Sequence, residues 1–349
     1  MYIIILFTTL RITIHSLKTL ICTAPGHFEY AETAKPVPKK DHAIIRIKRI
    51  GICGTDLHAF EGTQPYFNYP RILGHELSGE IVQIENTGDF NEGDIVTIMP
   101  YFYCGKCIAC RNGKTNCCTS LKVAGVHIDG GFAEYFSVPV FSLVQSHGLK
   151  MDELALVEPL SVGAHGIRRA EIKEGETVLV VGAGPIGLGL MEFARISGAS
   201  VIAMDINAKR LDFCKNNLGI HHTIQSYEQL ADITNGDLAD VVIDATGNLS
   251  AINFAFRYMA HGGKYILVGL QKENITFSHP DFHKKEGTLM SSRNATKLDF
   301  DNVIEGIRSK KIDPLKYITH RVNFVEVKEQ FPLWLKPESN VIKAMVSME

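Results

Sequence analysis

Within the sixteen residues from Tyr103 to Cys118, YCGKCIACRNGKTNCC, cysteines stand at 104, 107, 110 and 118, in the spacing C-x2-C-x2-C-x7-C. One short loop with thiols at these intervals closes them as a tetrahedron around a single zinc ion, and that closure leaves the loop few other ways to fold. Disulfides are a poor alternative, because loops this short do not reach bridging geometry without strain. Cys117 also offers a thiol, but the seven-residue interval favours Cys118 and turns Cys117 the other way. Cys22 and Cys214 read as ordinary apolar side chains.

A second set of metal-binding residues is scattered: Cys53 in GICGTDLH, the pair His75-Glu76 in LGHE, and Glu158 in VEPL. Taken singly, Cys53 reads as a small buried residue and His75 as a hydrogen-bonded polar group. Beside a four-thiolate loop they read together as a mixed sulfur, imidazole and carboxylate set, the kind that keeps a coordination position open for chemistry. The expectation is two zinc ions per chain, one structural and one catalytic.

At 349 residues, 45% of them hydrophobic, the chain has material for two cores of ordinary domain size. A formal charge of -2, with no long run of like charge, provides no field for nucleic acid. No stretch reaches the roughly 20 apolar residues that span a bilayer, and a thiolate metal site needs a reducing compartment, so the expected location is the cytoplasm. The opening MYIIILFTTLRITIHSL lacks both the basic start and the small-residue cleavage site of a signal peptide. Residues 1–17 are expected to be an extension outside the domains, with the first strand beginning at Lys18.

From Thr177 the pattern changes to TVLVVGAGPIGLGLMEFARISGA: a buried strand, a tight turn, then an apolar helix. Gly182 permits the turn, Gly184 lets backbone approach a pyrophosphate, Gly187 lets helix pack on strand, and Pro185 and Ile186 complete the helix start where free N–H groups face an anion. The next strand, VIAMD, ends at Asp205, eighteen residues past Gly187, where a carboxylate accepts both hydrogen bonds of an adenosine ribose. That charge favours NAD and repels the 2'-phosphate of NADP, although Lys209 and Arg210 keep NADP as the lesser alternative. Strands DVVID and KYILVG follow, the last running into Gly269.

GICGTDLH, LGHE, the four-cysteine loop, DGGFAEY, VEPLSVGAH and GAGPIG, in that order, resemble the zinc-dependent medium-chain dehydrogenase/reductase family, which includes alcohol, sorbitol and threonine dehydrogenases. The resemblance covers residues 18–349. It implies an α/β chain with a GroES-like β-rich catalytic domain over 18–150, a Rossmann-type doubly wound parallel sheet over 151–292, and a return to the catalytic domain over 293–349. Cys53 and His75 match the family's zinc ligands, and Glu76 and Glu158 compete for the third protein position. Thr55 matches the hydroxyl that hydrogen-bonds the alcohol, with His58 placed to pass the proton outward. The implied reaction is oxidation of a secondary alcohol, whose proton is lost only where a cation stabilises the alkoxide, with hydride passing to nicotinamide.

Finer segments, GTQPYFNYPRILGHE, VHIDGGFAEYFSVP, FSHPDFHKKE and SSRNAT, look like the subgroup that oxidises six-carbon sugar acids. A sorbitol-type polyol dehydrogenase or a threonine dehydrogenase is the alternative; a zinc- and NAD-binding protein without catalysis is the remote one. Phe60, Tyr66, Phe67 and Tyr69 are candidates for a pocket wall. Arg293, with Asn294, is the candidate anchor for a substrate carboxylate, pairing with Glu158 being its other role. The family implies a homo-oligomer, dimer or tetramer.

Overall fold

The computed structural model describes residues 16–349 apart from 66, 86 and 87. The extension expected over 1–17 therefore lies outside the described residues except for its last two, which open β1 (Ser16–Ala24). Tyr66 lies outside them as well.

β1 turns back antiparallel on β2 (His27–Ala34), and Arg71–Ile72 pairs on its other edge. The central strand is β3 (His42–Gly51), whose HAIIRIKRIG buries Ala43, Ile45 and Ile47 on alternate positions. After it comes helix α1 (Gly54–Glu61), and then β4 (Glu76–Ile84), which runs antiparallel to β3 so that Gly51 pairs with Glu76. β5 (Ile95–Ile98), β6 (Tyr135–Pro139) and β7 (Leu143–Gln145) complete the first half of this sheet. Helix α2 (Val157–Ala170) then leads to the second half of the molecule.

There, β8 (Thr177–Val181) feeds helix α3 (Pro185–Ile196), β9 (Ser200–Met204), helix α4 (Ala208–Leu218) and β10 (His222–Ile224). The chain crosses back to β11 (Ala239–Asp244), β12 (Met259–Leu267) and β13 (Thr288–Ser291). All pair in parallel in the order β10-β9-β8-β11-β12-β13. The order reverses between β8 and β11, and a crevice opens at such a reversal at the strands' carboxyl ends. Val178, Leu179 and Val180 of β8 are fully buried because helices cover both faces, so the strand reads as a continuous apolar run rather than an alternating one.

Helix α5 (Lys297–Arg308) packs on α2, and the chain then rejoins the first sheet through β14 (Ile318–Asn323) and β15 (Lys343–Ser347). The seven-stranded sheet runs β7-β5-β4-β3-β15-β14, with β6 also on β3. β15 thereby lies beside β3, with Met345 opposite Gly51. The core of this half gathers Phe28, Phe60, Phe132 and Phe331, with Phe28 stacked on Phe60 at 4.9 Å between centroids. At about 1.5–3 kcal/mol for each large buried side chain, this core holds the strand ends that carry the site in place.

Candidate active site

Cys53, two residues past the end of β3, caps the start of α1, while His75 precedes β4 and Glu76 begins it across the ladder. The register therefore brings two distant segments together: donor atoms of Cys53, His75 and Glu76 lie within 4.8 Å of one another. Asp56, fully buried, ties the segments, accepting from the Cys53 N–H at 3.0 Å and the Gly74 N–H at 3.2 Å. Its Oδ1 faces His75 Nδ1 at 3.5 Å, and that nitrogen makes no hydrogen bond. Burial works against a charge on His75, yet Asp56, the Cys53 sulfur and Glu158 together hold its pKa well above the usual imidazole value. A pocket that draws a proton onto a buried imidazole is built for positive charge, a demand that a divalent cation would also meet.

Glu76 is fully buried, and Lys343 of β15 reaches it with Nζ at 2.5 and 2.7 Å from its two oxygens while also donating to the Ile52 carbonyl at 3.0 Å. Opposite stands Gly51, where a Cβ would fall 2.1 Å from Glu76 Oε2, so glycine is required to seat the carboxylate. Glu158, in the first turn of α2, stands beside this group and accepts from the Tyr101 hydroxyl. Burial pushes its carboxyl up to about 7, with Glu76 adding to the rise and His75 and Tyr101 opposing it. Glu158 takes no bond from Arg293, contrary to the second role expected of that arginine; the bonding position is filled by Tyr101, from the strand pair beside the cysteine loop.

The four sulfurs of Cys104, Cys107, Cys110 and Cys118 also lie within 4.8 Å of one another, all as free thiols. Cys107 Sγ and Cys110 Sγ are 3.5 Å apart, close to the roughly 3.8 Å edge of a tetrahedron with zinc–sulfur bonds of about 2.3 Å. Backbone N–H groups of Cys104 and Ser120 point at Cys118 Sγ at 3.3 and 3.4 Å, and that of Cys107 at Cys104 Sγ at 3.4 Å. Backbone bonds from Cys110 and Thr119 draw Cys107 down to about 5, whereas burial and the neighbouring sulfurs push Cys110 up to about 12. Sulfurs crowded so closely share protons unequally, and a zinc ion removes that conflict. Cys118 is buried and Cys117 exposed, as the spacing predicts.

At the mouth of the parallel sheet, Gly182 takes φ +103°, a conformation that L side chains rarely adopt. At Gly187 a Cβ would lie 1.8 Å from the Gly182 carbonyl, whereas at Gly184, the N-cap of α3, nothing stands within 4 Å and the approach is open. Pro185 begins α3, where its missing N–H costs nothing, and Ile186 follows it half-buried. Asp205 Oδ2 accepts from the Ala183 N–H at 2.7 Å and Oδ1 from the Asn207 N–H at 2.8 Å, with Arg210 Nη1 3.9 Å away. The carboxylate thus braces the glycine turn and leaves each oxygen capable of accepting a further hydrogen bond. At Gly269 a Cβ would meet Gly247 N at 2.2 Å and Asp244 Oδ2 at 2.6 Å, so no side chain fits where its turn packs on the neighbouring one.

Toward the substrate side, Thr55 is half-buried in the first turn of α1 and His58 is exposed, its Nδ1 3.1 Å from Thr63 Oγ1. Of the expected wall, Phe60 is core instead, 5% exposed and packed between Phe28 and Phe331, while Phe67 and Tyr69 pair edge to face at 4.8 Å. Arg293 is exposed, its charge felt at His127 together with those of Arg71 and Lys122. Asn294 adopts φ 52°, and its Nδ2 is buried without a partner.

Residues 39–148 match the alcohol dehydrogenase GroES-like domain and residues 185–309 the zinc-binding dehydrogenase model. The chain is 43% identical to L-galactonate-5-dehydrogenase of Escherichia coli, over 95% of this chain and 99% of that one. The chain belongs to the zinc-binding alcohol dehydrogenase family. This dehydrogenase is also 33% identical to a sorbitol dehydrogenase of Halalkalibacterium halodurans, over 89% of its own length and 94% of the relative's. Its fold superposes on an alcohol dehydrogenase of Escherichia coli solved with NADH, with a TM-score of 0.89 at 28% identity, over 95% and 99% of the two chains. The enzyme is thus a zinc-dependent alcohol dehydrogenase that binds NAD(P), with a GroES-like part and a Rossmann part. Among the described residues no helix is long and apolar enough to cross a membrane.

Several residues of the dehydrogenase's site escape sequence reasoning. Lys343 sits in an apolar strand, KAMVS, and a lysine at a buried strand position signals a hidden anion without naming it. Asp56 had a local signal, since a carboxylate three residues after a capping position bonds back to it. Tyr101, and the buried set Asn116, His165 and Asp299 between the cysteine loop and α5, had none.

Proposed function

We propose that this enzyme oxidises a secondary hydroxyl of a sugar acid to the ketone with NAD as hydride acceptor, an L-galactonate 5-dehydrogenase-like activity. The observation that carries this reading is the likeness to the Escherichia coli L-galactonate enzyme along nearly the whole of both chains. Cys53, His75 and Glu76 hold the catalytic zinc, with Glu158 beside them, and Cys104, Cys107, Cys110 and Cys118 hold the structural one. When bound, zinc supplies the positive charge that lowers the pKa of the substrate hydroxyl, and the nicotinamide accepts hydride. Asp56 places its carboxylate beside His75, and Lys343 with the space left by Gly51 fixes the orientation of Glu76. Thr55 hydrogen-bonds the substrate hydroxyl and relays its proton, and His58, being exposed, releases it to water. Gly182, Gly184, Pro185, Ile186 and Gly187 receive the pyrophosphate, and Asp205 accepts from the ribose, which favours NAD, with Arg210 beside it.

Arg293 serves as the anchor for the substrate carboxylate, with Asn294 supplying its unpartnered amide nitrogen. A polyol activity is the second reading, supported by the identity to a sorbitol dehydrogenase. The enzyme works in the cytoplasm as a homo-oligomer, for which β13 supplies a sheet edge. Free thiols support that compartment. Rates with L-galactonate, sorbitol and L-threonine, followed by NADH absorbance, test the reading. L-galactonate should give the highest kcat/KM; a higher value for sorbitol or L-threonine overturns it.

A further inference from the structure

Asn116 lies in the four-cysteine loop, yet its side chain serves the other half of the molecule. Its Nδ2 donates one hydrogen to His165 Nε2 at 3.0 Å and the other to the Arg293 carbonyl at 3.0 Å. On the far side, Asp299 accepts from Arg168 Nε at 2.7 Å, from Arg168 Nη2 at 3.0 Å and from the Thr296 N–H at 2.8 Å. His165 Nδ1 is 2.9 Å from Asp299 Oδ2. Arg168 Nη2 also lies 3.0 Å from that nitrogen; because the Asn116 amide donates to Nε2, the proton of the neutral ring sits on Nδ1 and goes to the carboxylate, which only accepts. Asn116, His165 and Asp299 are 3%, 6% and 0% exposed, so the two bonds that join these three side chains are made away from water. Position 116 requires two donors on one short side chain, and asparagine supplies them.

The bond to the Arg293 carbonyl gives this network a task besides cohesion. It fixes the main chain of Arg293, whose side chain is exposed and whose charge reaches His127 together with those of Arg71 and Lys122. We propose that Asn116 is a positioning residue for substrate recognition: held by His165 and Asp299, it sets where Arg293 stands, so that the cysteine loop registers the anchor for an acidic substrate. This rests on Arg293 being that anchor.

The test compares Asn116→Asp, of the same shape but without the two donors, with Arg293→Ala. Both are assayed as purified zinc-loaded enzyme with NAD, on L-galactonate and on sorbitol. Asn116→Asp should raise KM for L-galactonate about tenfold, the ratio that one lost hydrogen bond corresponds to, without a matching rise for sorbitol. NADH affinity and zinc content should stay at the parent values. Equal rises for both substrates, or a fall in kcat at constant KM, would mean general loosening and overturn the proposal. If Arg293→Ala leaves the ratio of the two KM values unchanged, the anchor reading itself fails. If Arg293→Ala changes that ratio and Asn116→Asp does not, the anchor stands and the positioning role fails. Should Asn116→Asp not fold, His165→Leu removes the acceptor of Asn116 and should shift the ratio the same way. His165→Gln, with one donor and one acceptor, should restore it, and failure of that pair to differ also overturns the proposal.

Discussion

Glu76 is gripped from three sides: Lys343 on its oxygens, Gly51 beneath it, and His75 next in the chain. Removing the lysine leaves a buried carboxylate without its ion-pair partner, a loss of about 3–5 kcal/mol where no metal cation compensates. Lys343→Met should therefore lower the melting temperature of zinc-stripped protein more than that of loaded protein, as calorimetry would register; equal losses would mean that the lysine does not serve Glu76. Thr55 lies outside this grip. Thr55→Val should cut kcat by about a hundredfold or more and leave NADH binding intact, and unchanged turnover would remove it from the proton path. At this scale the sequence was most legible where chemistry is contiguous, as in GICGTDLH and LGHE. It was least legible for Lys343, which meets Glu76 across 267 positions of chain and leaves no local mark beyond a charge in an apolar strand.

Elements, more than residues, set the cofactor end. The strand, turn and helix around Gly182 were readable because a strand covered on both faces is apolar throughout and the turn needs glycine at fixed places. Gly187→Val should abolish NADH binding, measured by quenching of protein fluorescence, with zinc content unchanged, because its side chain would enter the Gly182 carbonyl. Retained binding would show that helix and strand can separate there. Gly269 illustrates the limit of such reading: a glycine at a strand end carries no sign in the sequence of the neighbouring turn that packs against it here. At the start of α5, Asp299 is a test of charge. Burial would raise its pKa, but bonds from His165, Arg168 and Thr296 hold it well below the ordinary 3.8. Its stabilising effect is therefore present above about pH 3.8 and is lost as the pH falls below that. Asp299→Asn should destabilise the enzyme near neutrality by about 3 kcal/mol, a deficit that narrows in acid; a deficit independent of pH would deny the charge its role.

The two largest sheets of the molecule draw their strands from different parts of the chain. The parallel one is a consecutive stretch of chain, whereas the other, antiparallel except where β14 runs parallel to β15, takes those two strands from the far end and seats β15 beside β3. That return followed only from the family resemblance, since nothing in KAMVS itself points to a partner three hundred residues earlier. It matters chemically because it delivers Lys343 to Glu76, just as the cysteine loop delivers Asn116 to the segment of Arg293. The account as a whole depends on two metal centres of different kinds in one chain. Elemental analysis of the purified, active enzyme and of Cys53→Ala tests this most directly. The parent should hold two zinc ions per chain, and the variant one zinc and no measurable turnover; an active parent holding only one zinc, or an active Cys53→Ala variant, would contradict it.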